Sequence, residues 1–95
     1  MKAHDIEFWS AEINRDTPSL DIHGYRVAEA LEKIDTFIDQ QSTGKYRIIK
    51  VIHGSGTGAL RKALRGLLAT HPQVSAYRDS ERVEELAAVT YIILK

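Results

Sequence analysis

The chain contains no cysteine among its 95 residues. That excludes a disulfide framework, thiolate catalysis and cysteine-based metal sites, and it is compatible with a reducing compartment. Long apolar runs are also missing. The stretches at 48–52 and 89–94 are far too short for a bilayer span, which needs about 20 residues. The first ten residues, "MKAHDIEFWS", hold no apolar signal-peptide core. We therefore expect no membrane partner and a cytoplasmic location. There is no excess of charge of one sign either: thirteen Lys and Arg balance thirteen Asp and Glu. That argues against a nucleic-acid-binding arm that works by bulk charge. The distribution is nevertheless uneven. Residues 45–65 carry six Lys or Arg and no acid, whereas 79–85 carry four acids.

A chain of this length builds one modest core and needs no disulfide to fold. Residues 1–19 have no sustained period and end in turn formers, so we read them as an N-terminal extension or linker, with Phe8 and Trp9 available to dock. The domain proper is expected over 20–95. "LDIH" alternates apolar and polar residues like a short strand, placing Leu20 and Ile22 on one face and Asp21 and His23 on the other. Val27, Leu31, Ile34 and Ile38 then follow helical spacing. "YRIIKVIHG" suits a strand buried on both faces. After "GSGTG", Leu60, Leu64, Leu67 and Leu68 mark a second amphipathic helix, which Pro72 closes. "VSAYR" reads as a weaker strand, and "SERVEELAA" suits a loop or a short helical turn. "AVTYIILK" is the last strand. The predicted fold is α/β, an α+β two-layer sandwich ordered β-α-β-α-β-β. Its small mixed four-stranded sheet carries two helices on one face.

Two Ile-His-Gly corners, at 22–24 and 52–54, end the first two strands. Strands joined by a helical crossover run parallel, so both histidines are expected at one sheet edge, the usual ligand edge of open α/β sheets. His23 has the chemistry for acid–base work near neutral pH. Asp21 shares its face and can orient it. His53 completes the candidate catalytic set, although bracing the loop suits it better than moving protons. Gly54, Ser55, Gly56, Thr57 and Gly58 form a glycine-rich turn into a helix, a place where backbone N–H groups and the helix dipole favour phosphate. The same composition suits a plain tight turn. Arg61, Lys62 and Arg65, with Arg26 at the first corner, supply candidate phosphate-binding charge. The loop is neither a Walker A loop nor a dinucleotide fingerprint. Asp21, His23 and His53 are three conceivable metal ligands, but no metal-binding spacing is present, and we assign no metal ligand. His71 reads as a helix-end residue, and His4 receives no role.

"LDIHG" followed by "RVAEALEKIDTFID", then "IHGSGTGALRKAL" and "HPQVSAYR", resembles the Smr (small MutS-related) domain from Leu20 to about Arg78, and again at "VTYIILK". The wording is most like the C-terminal Smr domain of a bacterial MutS paralogue that suppresses recombination and acts on collided ribosomes. The resemblance implies an endonuclease that nicks DNA or cleaves RNA, with Asp21 and His23 in the motif needed for cleavage and His53, Gly54, Gly56 and Gly58 shaping the site. The partners it implies are nucleic acid and the ribosome. An isolated domain is expected to be a monomer, and the larger protein dimeric. Cleavage of DNA implies a divalent ion, Mg or Mn; cleavage of RNA through its 2′-hydroxyl needs none. Family members usually carry a glycine-rich stretch before the last strand, where this chain has "RVEELAAVT". Two alternatives follow. One is a non-catalytic module that docks nucleic acid or a ribosome for a larger ATPase; the other is a site for a small phosphate ligand such as a nucleotide.

Overall fold

A computed structural model describes residues 4–95; residues 1–3, at the start of the expected extension, lie outside that range. The elements in chain order are α1 (Asp5–Ile13), β1 (Ser19–Asp21), α2 (Val27–Ser42), β2 (Ile48–Ile52), α3 (Ala59–Thr70), β3 (Val74–Asp79), a 3-10 turn (Val83–Glu85) and β4 (Val89–Leu94). The four strands form one mixed sheet in the order β1-β2-β4-β3. β1 and β2 are parallel, as the α2 crossover requires, and β4 runs antiparallel to both β2 and β3.

The period of each element decides what it buries. Ala30, Ile34 and Ile38 recur every fourth residue on α2, and Leu64 and Leu68 do so on α3. They meet Ile22, Ile49, Val51, Ile92 and Leu94 in one core. α2 and α3 therefore cover the same sheet face, as expected from the sequence. β4 is buried at all six positions. Its odd residues Val89, Tyr91 and Ile93 point away from that core and pack with Phe8 and Ala11.

That second cluster exists because residues 5–13, within the segment read as an extension, form a helix across the other face. The helix escapes a periodicity search for a specific reason. Its buried stripe is Phe8, Ala11 and Glu12, and the third member is charged. A buried carboxylate needs partners, and Glu12 has them. It accepts the Glu81 N–H at 2.8 Å and lies 3.5 Å from an Arg78 guanidinium nitrogen, while Arg82 donates to the Glu12 carbonyl at 2.6 Å. Arg78 also stacks 4.7 Å from the centre of the Phe8 ring, a cation–π contact.

Because β4 lies between β2 and β3, one sheet edge collects four chain segments: the carboxyl ends of β1, β2 and β3, and the start of β4. This edge carries the candidate site.

Candidate functional site

The first corner is closed by Asp21. β1 ends at this residue, so Asp21 and His23 do not meet through strand alternation. Instead, Asp21 Oδ1 accepts the backbone N–H of His23 at 3.1 Å, an Asx turn of the kind Asp favours. The same oxygen lies 2.5 Å from His23 Nδ1. The hydrogen bonds from the His23 ring and backbone hold the Asp21 carboxyl below its ordinary value. A carboxylate on Nδ1 places the proton there and leaves Nε2 as the exposed lone pair. Among the described residues, no protein group occupies that Nε2.

The second corner is built differently. β2 ends at Ile52, and His53 continues the inward face of Ile49 and Val51. It is 4 % exposed. Its Nδ1 bonds the Gly54 carbonyl at 2.9 Å and its Nε2 meets Thr90 Oγ1 at 2.9 Å. Burial pushes the imidazole below its ordinary value, while the Gly54 carbonyl and the Asp79 charge act to raise it. Both ring nitrogens are committed.

The loop that follows passes close to His23. Gly54 has φ +76°, and a Cβ there would lie 3.2 Å from His23 Cβ. Gly58, at φ +86°, starts α3 from the left-handed region. Both positions need glycine, one for close approach as well as for φ. The N–H groups of His53 and Gly54 bond the Ala88 carbonyl at 2.9 and 3.1 Å. The "RVEELAAVT" segment therefore forms one wall of the loop. Among the described residues, the N–H groups of Ser55, Gly56, Thr57 and Gly58 have no protein acceptor. They border a cleft of about 630 Å³ lined by His23, Arg26, His53, the glycine loop and Arg61. Asp21 borders a neighbouring cleft with Tyr25 and Lys33.

The expected cations divide into two pairs. Arg61 donates to Asp79 Oδ2 through Nε at 3.0 Å and through Nη2, and Arg65 reaches Asp79 Oδ1 at 3.3 Å. Burial acts to raise the Asp79 carboxyl; bonds from Arg61 and Thr90, with the Arg61 and Arg65 charges, outweigh it and leave the group lowered. Arg26 and Lys62 are exposed and carry no ion pair to described residues. Sequence reasoning missed Asp79, Thr90 and the Ala88 carbonyl. The one available signal was the position of Asp79 at the end of the third strand, on the same edge.

The conceivable metal set is not assembled. Asp21 is engaged by His23, and His53 has no free nitrogen, so the residues do not fit a protein-held ion. Asp35, Asp39 and His71 place ligand atoms within 4.8 Å of one another on α2 and the end of α3. There the Gln73 N–H donates to His71 Nδ1 at 3.1 Å, which puts the ring proton on Nε2, facing Asp35 Oδ1 at 2.7 Å. That is a hydrogen-bonded helix-end contact. It lacks the lone pair a metal needs. No described helix is long and apolar enough to cross a membrane.

The sequence model of the Smr domain matches residues 20–95. Among curated relatives, the chain is 44 % identical over 62 residues to "Endonuclease MutS2" of Halalkalibacterium halodurans, covering 65 % of this chain and 8 % of that protein. It is 40 % identical over 84 residues to the protein of the same name from Staphylococcus haemolyticus, covering 86 % and 11 %. It thus spans about a tenth of the length of these relatives. The Smr domain of Thermus thermophilus MutS2 superposes with a TM-score of 0.80 at 32 % identity, covering 83 % of this chain and 99 % of that one. YdaL, a stand-alone small MutS-related protein of Escherichia coli, shares the fold with a TM-score of 0.75 at 22 % identity, over 84 % of this chain and 66 % of that one. The strand-end histidines, the glycine loop and this fold agree with one another, and the chain belongs to the Smr domain family.

Proposed function

We propose that this chain is an endonuclease module that cleaves phosphodiesters, using Asp21 and His23 for proton transfer and the 54–58 loop to hold a phosphate. The observation that carries the reading is the juxtaposition at one corner. A histidine, fixed by a carboxylate on Nδ1 and open at Nε2, lies against Gly54, and among the described residues the N–H groups from Ser55 to Gly58 have no protein acceptor.

The chemistry follows from that arrangement. Backbone N–H groups at the start of α3 bind two or three phosphate oxygens, and the helix dipole adds to the attraction. Arg26, in the cleft lining, and exposed Lys62, on the first turn of α3, supply positive charge. His23 Nε2 takes a proton from the attacking hydroxyl, or returns one to the leaving oxygen. Asp21 holds the tautomer and stabilises the imidazolium as it forms. On RNA the 2′-hydroxyl is a nucleophile already in place. On DNA, water must attack. A divalent ion would supply Lewis-acid activation there, but the described residues at this corner present no assembled ligand set for it. His53 fixes the Gly54 carbonyl, and the residues that follow line the cleft. Relatives carrying the name endonuclease support the class of activity. The readings on recombination and on collided ribosomes rest on the motif resemblance and are separated by substrate, branched DNA against structured RNA.

A second reading has its own observation. The Ala88 carbonyl seals one side of the loop, and Asp79 pairs with both Arg61 and Arg65. A module built this way binds without cutting, as a docking element of a longer chain.

One experiment decides between them: cleavage of nicked, branched and single-stranded DNA and of RNA, with and without chelator. Nuclease action predicts product strands, reduced at least ~10²-fold in His23→Ala. Unchanged cleavage by both His23→Ala and Asp21→Ala, with binding intact, overturns the assignment. Salt-dependent binding with no product from the unaltered protein favours the docking module.

A further inference from the structure

The hydrogen-bond chain Gly54–His53–Thr90–Asp79 contains more contacts than a neutral histidine can satisfy. The Gly54 carbonyl only accepts, so His53 Nδ1 must carry a hydrogen to bond it at 2.9 Å. Thr90 has a single hydroxyl hydrogen. Its Oγ1 lies 2.9 Å from His53 Nε2 and 3.0 Å from Asp79 Oδ1, and a carboxylate also only accepts. With neutral His53 the Thr90 hydrogen goes to Nε2, and Asp79 loses it. With the imidazolium, Nε2 itself donates to Thr90, and the Thr90 hydrogen turns to Asp79. The opposite neutral tautomer sets a bare Nδ1 against the Gly54 carbonyl. Thr90 is fully buried, so its hydroxyl is shielded from bulk solvent.

We infer that Thr90 and Asp79 are positioning residues of the glycine loop: the Thr90 hydroxyl turns between His53 and Asp79, linking the protonation of the histidine that fixes the loop to the hold of Asp79 on Arg61 and Arg65. This deepens the proposed function and rests on the loop being a phosphate site. The charged groups acting on His53 from the packed elements are Asp79 on β3 and Arg61 and Arg65 on α3; His23, backed by Asp21, packs on the neighbouring Gly54. In the unliganded protein, burial favours neutral His53. Thr90 then serves the histidine, and Asp79 relies on its two arginines. An anion at the loop favours the imidazolium. Thr90 then satisfies Asp79, and the arginines are held less tightly beside the incoming charge. Proton uptake and anion binding are thereby reciprocal.

The test is an NMR titration of the His53 ring Cε1–H in the full chain, with sulfate as a non-titrating anion probe. The unaltered protein, Thr90→Val, Thr90→Ser and Asp79→Asn are compared. Sulfate is expected to raise the His53 midpoint in the unaltered protein. Thr90→Val and Asp79→Asn should lower the sulfate-free midpoint, by about one pH unit for the loss of the Asp79 charge, and Thr90→Ser should restore it. A Thr90→Val midpoint equal to that of the unaltered protein, an unmoved Asp79→Asn midpoint, or a Thr90→Ser midpoint that stays low overturns the coupling. Thr90→Ser and Asp79→Asn are both near-isosteric, so the comparison survives if Thr90→Val fails to fold. Sulfate that shifts no amide from Ser55 to Gly58 overturns the phosphate reading of the loop, while the order of the variant midpoints still decides whether Thr90 and Asp79 act on His53.

Discussion

His23 and Gly54 are in contact across the two corners: a side chain on Gly54 would begin 3.2 Å from the β-carbon of His23. The residue proposed for proton transfer and the first residue of the proposed phosphate loop therefore share one small volume. A side chain added at Gly54 would press on His23.

Gly54→Ala tests that contact directly. The φ of +76° alone costs roughly 1–2 kcal/mol for a residue with a β-carbon, and the 3.2 Å approach adds to it. Urea unfolding should show a loss of at least that size, and the His23 ring signals should shift. Gly56→Ala is the control, because a β-carbon there meets nothing within 4 Å and its φ is not left-handed. Equal stability of the two variants would contradict the packing described.

The Asp21–His23 bond gives a pH signature. Its hydrogen bonds to His23 lower the Asp21 carboxyl from its ordinary 3.8. The sign is that of a depressed acid. The stabilising contact is complete above the unfolded value and is lost as pH falls through the lower folded value. A carboxyl-carbon NMR titration should place the Asp21 midpoint below 3.8, and His23→Ala should move it up toward that value. Identical midpoints in the two proteins would show that the bond does not persist in solution.

Ala87 has φ +61° without being glycine. It lies just before β4, where the chain keeps a left-handed backbone that glycine would relieve. Ala87→Gly removes a cost of roughly 1–2 kcal/mol but frees the unfolded chain by about 0.4–1 kcal/mol. Thermal denaturation should show a net gain of a few tenths to about 1 kcal/mol. A loss of stability would mean that the segment adopts a different conformation in solution.

Helix α1 is expected to be part of the folded unit. Phe8 is 4 % exposed against Tyr91 and Ile93, whereas its neighbour Trp9 is 43 % exposed. Phe8→Ala should cost about 3 kcal/mol or more, and Trp9→Ala should stay within about 0.5 kcal/mol. Similar small effects from both would show that the helix does not dock.

Much of the sheet and one half of the site are local properties of the sequence. The period of Val27 to Ile38 makes α2 a crossover, and a crossover makes β1 and β2 parallel. Parallel strands bring both Ile-His-Gly corners to one edge, so the meeting of His23 with the 54–58 loop follows from the residues in order. Asp21 reaches His23 across two positions, a distance that turn chemistry spans unaided. The other half is non-local. Thr90 meets His53 across 37 positions and Asp79 meets Arg61 across 18, because β4 inserts antiparallel between β2 and β3. No period or motif encodes that insertion. It arises because β4, apolar on both faces, is most stable at the centre of the sheet, with α2 and α3 on one side and α1 on the other. For the same reason Glu12 hides α1 from a hydrophobic count: its charge is tolerable only once Arg78, Glu81 and Arg82 have been folded against it. The sequence thus determined the Asp21–His23 corner and the loop, whereas tertiary packing decided which cations Asp79 pairs and what holds His53.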